Sequence, residues 1–224
     1  HSSNRHCIAI HPDAIAARTL EYAGFGFNDL RELDVETGAP AIVPRYQCEL
    51  FCHNNPDYLA MHEAYLRRQI AEIPLDGLMS DDMCDYAMFR GCGCRHCRAR
   101  FAREYGHDLP PFADKSFWGD TAVAESHWGN YENPAFRDWV AMRYRAAADH
   151  LAMVRRVVGD RILMTCCSSS GPTRLNSLGL SYESFLPHCD WVMLENCGVT
   201  PDAVNWARTE PEAMLSKAIA RRKT

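Results

Sequence analysis

Short apolar runs alternate with longer amphipathic stretches along this chain, and no other feature narrows its possible folds so far. Residues 6–10 (HCIAI), 46–51, 77–80, 161–166 (RILMTC) and 191–195 (WVMLE) have the length and side-chain content of strands. Between them, Leu59, His62, Leu66 and Ile70 recur at helical spacing over 58–72, behind the opening Asn55-Pro56-Asp57. Residues 94–105 predict a helix stopped at Gly106. Phe136, Val140, Tyr144, Ala147, Leu151 and Val154 mark one face of a long helix over 134–158, with Pro134 in its first turn. Shorter helices are expected over 182–186 and 210–222. The segments 27–44 and 107–133 are rich in turn residues and read as long loops, the second a surface loop carrying Trp118 and Trp128. Asp76 and Asp190 precede strands, where structural hydrogen bonding is their expected role. Such alternation predicts an α/β fold around a mainly parallel sheet.

The length of 224 residues and 47% hydrophobic content suffice for one domain, or most of one. About five strands, each followed by helix or loop, fall short of the eight strands and about 250 residues of a closed barrel. The simplest expectation is a single, incomplete (β/α)8 TIM barrel over 1–224, running from about strand 2 or 3 to strand 6 and the helix after it. A doubly wound open sheet is the alternative, although no glycine-rich phosphate loop is present. Lys and Arg total 24 against 29 Asp and Glu, so the surface is not built to neutralise phosphates and nucleic acid is not an expected partner. No apolar run approaches the roughly 20 residues that span a bilayer. The first residues lack the basic-then-apolar order of a leader. A soluble chain is expected, the cytoplasm being the favoured compartment. Its opening at His1, directly before a strand, is the reason to expect a missing beginning.

Eleven cysteines are an odd number, and three of them fall within six residues, Cys92-Gly93-Cys94-Arg95-His96-Cys97. That grouping suits a tetrahedral metal ion better than a disulfide framework. A fourth ligand has to come from elsewhere. Cys52, just after a strand-like run, is the first choice, with Cys48 and His96 in reserve. Four thiolates leave no open position for water, so zinc held this way is structural.

Asp81-Asp82 ends one strand and Glu195 ends another. In a barrel the C-terminal strand ends face the active site, and paired carboxyl groups there, one of them kept protonated, suit general acid/base chemistry. Sugars stack on indoles and hydrogen-bond to amides and imidazoles, which brings in Trp118, Trp128, His53 and Asn54 as substrate contacts. The alternative for the tryptophans is local packing, and for His53-Asn54 the capping of the helix beginning near Pro56. Cys166-Cys167, followed by Ser168-Ser169-Ser170-Gly171, has no G-x-S-x-G frame and reads as a strand end.

A lone cysteine before a helix (Cys52-His53-Asn54-Asn55-Pro56) is followed by a strand-terminal pair (Ser80-Asp81-Asp82). Next come Cys92 to Cys97, leading into Arg98-Ala99-Arg100-Phe101, a tryptophan-bearing loop, and Phe136-Arg137-Asp138-Trp139 at the start of the long helix. In this order and rough spacing, from about Cys48 to Ser170, the chain resembles the family 42 glycoside hydrolases, the β-galactosidases. The resemblance implies a barrel, a zinc on Cys52, Cys92, Cys94 and Cys97, retaining hydrolysis of β-galactosides or related glycosides, and a homotrimer. In that family the strand ends in Asn-Glu, the glutamate being the acid/base. Here Asp82 takes the acid/base position and Asp81 the neighbouring substrate-contacting one, each aspartate reaching one methylene less far than a glutamate. The family's nucleophile is a glutamate on the seventh strand. Residues 191–195 count as the sixth, so Glu195 is expected to line the site and the nucleophile to lie beyond Thr224. The competing expectation is a non-catalytic carbohydrate-binding or scaffold barrel that has lost its catalytic glutamates.

Overall fold

The computed structural model describes residues 3–4, 7–9, 21–43, 48–81, 86–168, 176–181, 183 and 186–195. In chain order the elements are β1 (Ser3–Asn4), β2 (Cys7–Ala9), β3 (Glu21–Tyr22), β4 (Phe25–Gly26), β5 (Ile42–Val43), β6 (Cys48–Leu50), α1 (Pro56–Glu72), β7 (Gly77–Asp81), α2 (Arg95–Tyr105), α3 (Lys115–Trp118), α4 (Pro134–Val158), β8 (Ile162–Ser168) and β9 (Trp191–Glu195).

The helices form where the caps and periodicity place them. Asn55 accepts a hydrogen bond from the Asp57 N–H at 3.0 Å and Pro56 occupies the first turn of α1, which buries Tyr58, Met61, His62 and Leu66. Asn133 caps α4 in the same manner through the Ala135 N–H at 2.9 Å. α2 ends at Gly106, whose φ of +72° is the left-handed conformation that a C-terminal glycine supplies.

β1, β7, β8 and β9 pair side by side, all parallel and in chain order. α1 precedes β7 and α4 precedes β8, as parallel crossovers require. Asp190, just before β9, accepts from the Leu163 N–H at 2.8 Å and from Arg155 Nη2 at 2.6 Å, the structural role expected of it. Among the described residues this sheet is an open four-stranded array that does not close into a barrel. The α/β class and parallel sheet therefore stand, and the closed barrel is not shown.

Two strand-like runs belong elsewhere. β2 and β5 flank β6 in a separate antiparallel sheet. Only residues 44–47 separate β5 from β6, too few for the crossover that a parallel pair needs.

The two segments read as loops are also more ordered than their turn residues suggest. Residues 27–30 form a 3-10 turn, and isolated bridges tie Arg31 to Phe51, Leu33 to Pro40 and Asp34 to Gly91. Residues 107–133 hold α3 and a second 3-10 turn at 125–127, and their tryptophans point inward. Trp118 is 0% exposed and Trp128 4%, so this is not a surface loop carrying exposed indoles. Most of 182–186 and all of 210–222 lie outside the described residues.

α4 joins two cores. Its N-terminal half puts Phe136, Trp139, Val140, Met142 and Ala146 among aromatic rings and cysteines. Its C-terminal half puts Ala147, Leu151, Val154 and Val158 against Leu66 of α1 and against Leu78 and Leu163 of the parallel sheet. Each fully buried aliphatic side chain contributes about 1.5–3 kcal/mol.

Candidate functional site

Four cysteines from two segments of the chain meet inside the first of these cores. Cys52 follows the antiparallel sheet, its N–H donating to Leu30 O at 2.8 Å. Cys92 and Cys94 flank Gly93, whose N–H donates to Leu33 O at 2.7 Å. A Cβ at position 93 would come within 2.9 Å of the Val35 Cα, so only glycine lets the two strips of backbone lie this close. Cys94 is the N-cap of α2 and Cys97 sits in its first turn.

The four sulfurs lie within 4.8 Å of one another. Cys52 Sγ stands 3.5 Å from Cys94 Sγ and 3.6 Å from Cys97 Sγ. Around a tetrahedral ion with sulfur bonds of about 2.3 Å, ligand sulfurs stand about 3.8 Å apart. The cluster thus has the size of a four-thiolate metal site, and Cys52 is the fourth member. His96 lies in a neighbouring groove, where its Nε2 accepts from Arg95 Nε at 3.2 Å. The side chain of Cys48 is outside the described residues.

The surroundings suit negative sulfur. The Leu33 N–H donates to Cys92 Sγ at 3.3 Å, and Asn54 Nδ2 donates to Cys97 Sγ at 3.2 Å. Arg100 Nη1 holds the Asn54 carbonyl at 2.9 Å, fixing which end of the amide faces the sulfur. Sulfhydryl hydrogen bonds from Cys52, Cys92 and Cys97 hold the Cys94 thiol far below its ordinary range, while burial pushes Cys92 well above it. A soft cation that binds such a cluster displaces the sulfhydryl protons.

His53 and Asn54 are brought to this cluster. His53 is 2% exposed, and its Nδ1 pairs with His150 Nδ1 at 3.1 Å. His150 Nε2 pairs in turn with His62 Nδ1 at 2.8 Å, making a chain of three buried imidazoles between α1 and α4. Burial, reinforced by the charge His53 can carry, pushes His62 down to about 3.

Trp118 and Trp128 line the same core from the other side. Their indole N–H groups donate to Pro111 O at 3.1 Å and to Val123 O at 3.0 Å, and their faces meet Phe112, Phe117 and Phe136. Both rings are used up in packing and offer no face to a sugar. This corrects the expected stacking role in favour of the packing alternative.

β7 and β9 end at the same edge of the parallel sheet. Asp81 is in register with Cys166 and Glu195 with Ser168, so β8 runs between them. From strand spacing and this offset, the two Cα atoms stand roughly 12 Å apart. The side chains of Asp81 and Glu195, and Asp82 altogether, lie outside the described residues.

Two buried charged residues escaped the sequence reading. Glu32 is fully buried, accepts from the Ala87 N–H at 3.0 Å, and is pushed up to about 8 by that burial. Arg143 is also fully buried, stacks on Tyr86 with 4.4 Å from its guanidinium carbon to the ring centre, and donates to Ser177 O at 2.7 Å and to Met88 O. Together they fasten residues 86–91, on the chain between β7 and the cysteine knuckle. A signal existed for Arg143, which falls at helical spacing between Val140 and Ala147 on the apolar stripe of α4. None existed for Glu32, which sits among other charged residues in a turn-rich stretch.

In fold the chain is similar to a solved glycoside hydrolase domain, that of PgaB (BpsB) from Bordetella bronchiseptica. The TM-score is 0.57 at 18% sequence identity, over 86% of this chain and 51% of that one. The chain therefore spans about half the length of that neighbour. No family model matches the sequence, and neither does any curated protein. At this identity the likeness is one of fold, and the narrower resemblance to family 42 finds no support in it. Among the described residues no helix is long and apolar enough to cross a membrane.

Proposed function

We propose that this chain is the metal-braced part of a glycoside hydrolase-like α/β domain. In this reading Cys52, Cys92, Cys94 and Cys97 hold a structural zinc ion, and the carboxylates at the C-terminal edge of the parallel sheet act on a glycoside. The observation that carries it is the likeness in fold to a glycoside hydrolase domain over most of the chain. The convergence of four buried sulfurs supports the metal half, since a soft, closed, tetrahedral donor set of this size suits zinc.

Asp82 is assigned as proton donor and Asp81 as its substrate-contacting neighbour, with Glu195 lining the site two strands away. A β-galactoside is the first substrate to try, because the Cys52 to Cys97 motif order gave the family 42 resemblance. His53 and Asn54 take supporting roles behind the metal site rather than contacts to sugar. The imidazole and amide are committed to His150, Tyr86, Cys97 and Arg100.

The test is a panel of aryl glycosides, headed by an aryl β-galactoside, run on the full-length protein beside Asp82→Asn and Cys52→Ser. Turnover that falls by about 10²–10⁴-fold in Asp82→Asn, with about one zinc per chain retained, supports the assignment. Turnover indifferent to both Asp81→Asn and Asp82→Asn would sink it. Saturable sugar binding without turnover favours the scaffold reading, which the shorter aspartates at this strand end make the natural alternative.

A further inference from the structure

One of the four sulfurs is set apart by its access. Cys52, Cys92 and Cys97 are completely enclosed, whereas Cys94 retains 5% of its surface. Cys94 also lines a groove of about 600 Å³, in company with Asn28, Asp29, Arg31, Arg95 and His96. A small polar molecule entering that groove meets Cys94 before any other member of the cluster. Directly behind it stands Cys52, sulfur to sulfur at 3.5 Å.

We propose that Cys94 is an oxidation site through which a peroxide dismantles the metal centre, with Cys52 as the resolving thiol. The proposal rests on the reading of the cluster as a zinc site. Sulfurs that ligate a metal are all thiolates, so access decides which reacts first. The approach is polar and of balanced charge, Arg31 and Arg95 standing beside Asp29 and Asp57 in its lining, so it suits a small neutral molecule such as hydrogen peroxide.

In the first step the Cys94 thiolate attacks one oxygen of hydrogen peroxide, the O–O bond breaks, and a solvent proton completes the departing water. Cys94 becomes a sulfenic acid, oxidised by two electrons. In the second, the Cys52 thiolate attacks the Cys94 sulfur, the S–O bond breaks, and hydroxide leaves as water after taking a second solvent proton. The product is a Cys52–Cys94 disulfide, with the peroxide reduced to two waters. Two of four ligands are then lost, and the remaining pair cannot complete a tetrahedral site. A dithiol reductant and fresh zinc reverse the change.

The consequence reaches the sheet edge. The cysteine knuckle lies just beyond residues 86–91, which follow the C-terminal end of β7 on the chain. Losing the ion slackens the segment behind the proposed acid and makes the domain's activity sensitive to oxidant.

The test uses the zinc-loaded full-length chain, one to two equivalents of hydrogen peroxide, a chromogenic chelator to read released zinc, and a sulfenic-acid trap read by peptide mass spectrometry. The expected result is a first adduct on Cys94, then a Cys52–Cys94 disulfide with one zinc released per disulfide. Cys94→His keeps four ligands, and His96→Trp narrows the groove without touching a ligand. Both variants should retain zinc and release it roughly tenfold more slowly. A first adduct on Cys52, Cys92 or Cys97, or equal release rates in all three proteins, overturns the proposal and leaves the zinc site standing. Absence of bound zinc before peroxide is added overturns the metal reading, and the proposal with it.

Discussion

Two buried groups set an opposed pair of pH responses at the level of single residues. His62 is held neutral by burial, pushed from 6.5 down to about 3, so below pH 6.5 the unfolded chain takes up a proton that the folded one refuses. Its contribution is fully present above 6.5 and fades as the pH falls towards 3. Glu32 is pushed from 4.5 up to about 8, so the folded state keeps a proton that the unfolded one releases. Its contribution is fully present below 4.5 and fades as the pH rises through 8. Between 4.5 and 6.5 the two slopes cancel. From these two groups a plateau of stability is expected there, with a decline on each side of up to about 1.4 kcal/mol per pH unit. Urea midpoints measured from pH 4 to 8 check this, and Glu32→Gln should flatten the alkaline limb and, with the opposing slope gone, carry the acid limb up to pH 6.5. An alkaline limb unchanged in that variant would remove Glu32 as its source.

At the scale of elements, two loops make the sharpest demands on sequence. Gly129 has φ of +102°, and a Cβ there would lie 1.9 Å from the Phe136 ring. Gly129→Ala should therefore destabilise the domain by more than about 2 kcal/mol, against about 1 kcal/mol for loss of the α4 cap in Asn133→Ala. Thermal or urea denaturation of the two variants gives the ranking, and a reversed order would show that the 107–133 segment yields rather than resists. The same segment shows where sequence reading reached its limit. α1, α2, α4 and the strands β7 to β9 were legible because apolar period and caps act locally. Turn residues in 27–44 and 107–133 were just as visible, but they report where a chain bends and not whether the bend lies indoors. Only neighbours distant in sequence, such as Phe136 packing on Trp118, turn that stretch into core. β6 was legible as a strand, yet its antiparallel pairing with β5 followed from the short connection and its pairing with β2 from nothing local. The four clustered cysteines were the most readable part of the candidate site, because spacing alone gathered three of them.

For the molecule as a whole, the separation of the cysteine-bearing core from the core under the sheet predicts how it comes apart. Trp118, Trp128 and Trp139 belong to the core that contains the cysteines, while Leu78, Leu151, Val154 and Leu163 belong to the core under the sheet. Stripping the proposed zinc with a strong chelator should abolish the near-ultraviolet circular dichroism of the buried indoles, with a smaller change in the far-ultraviolet signal. Simultaneous loss of both signals would mean that the two cores stand or fall together. α4 runs through both. Its 25 residues are a rigid gauge of about 37 Å, and each residue carries an angular address of about 100°. Substitutions along it change one contact at a time. A single inserted or deleted residue near its middle would rotate everything beyond it off its partner surface, so the length of this helix is set by the two surfaces that it has to meet at once.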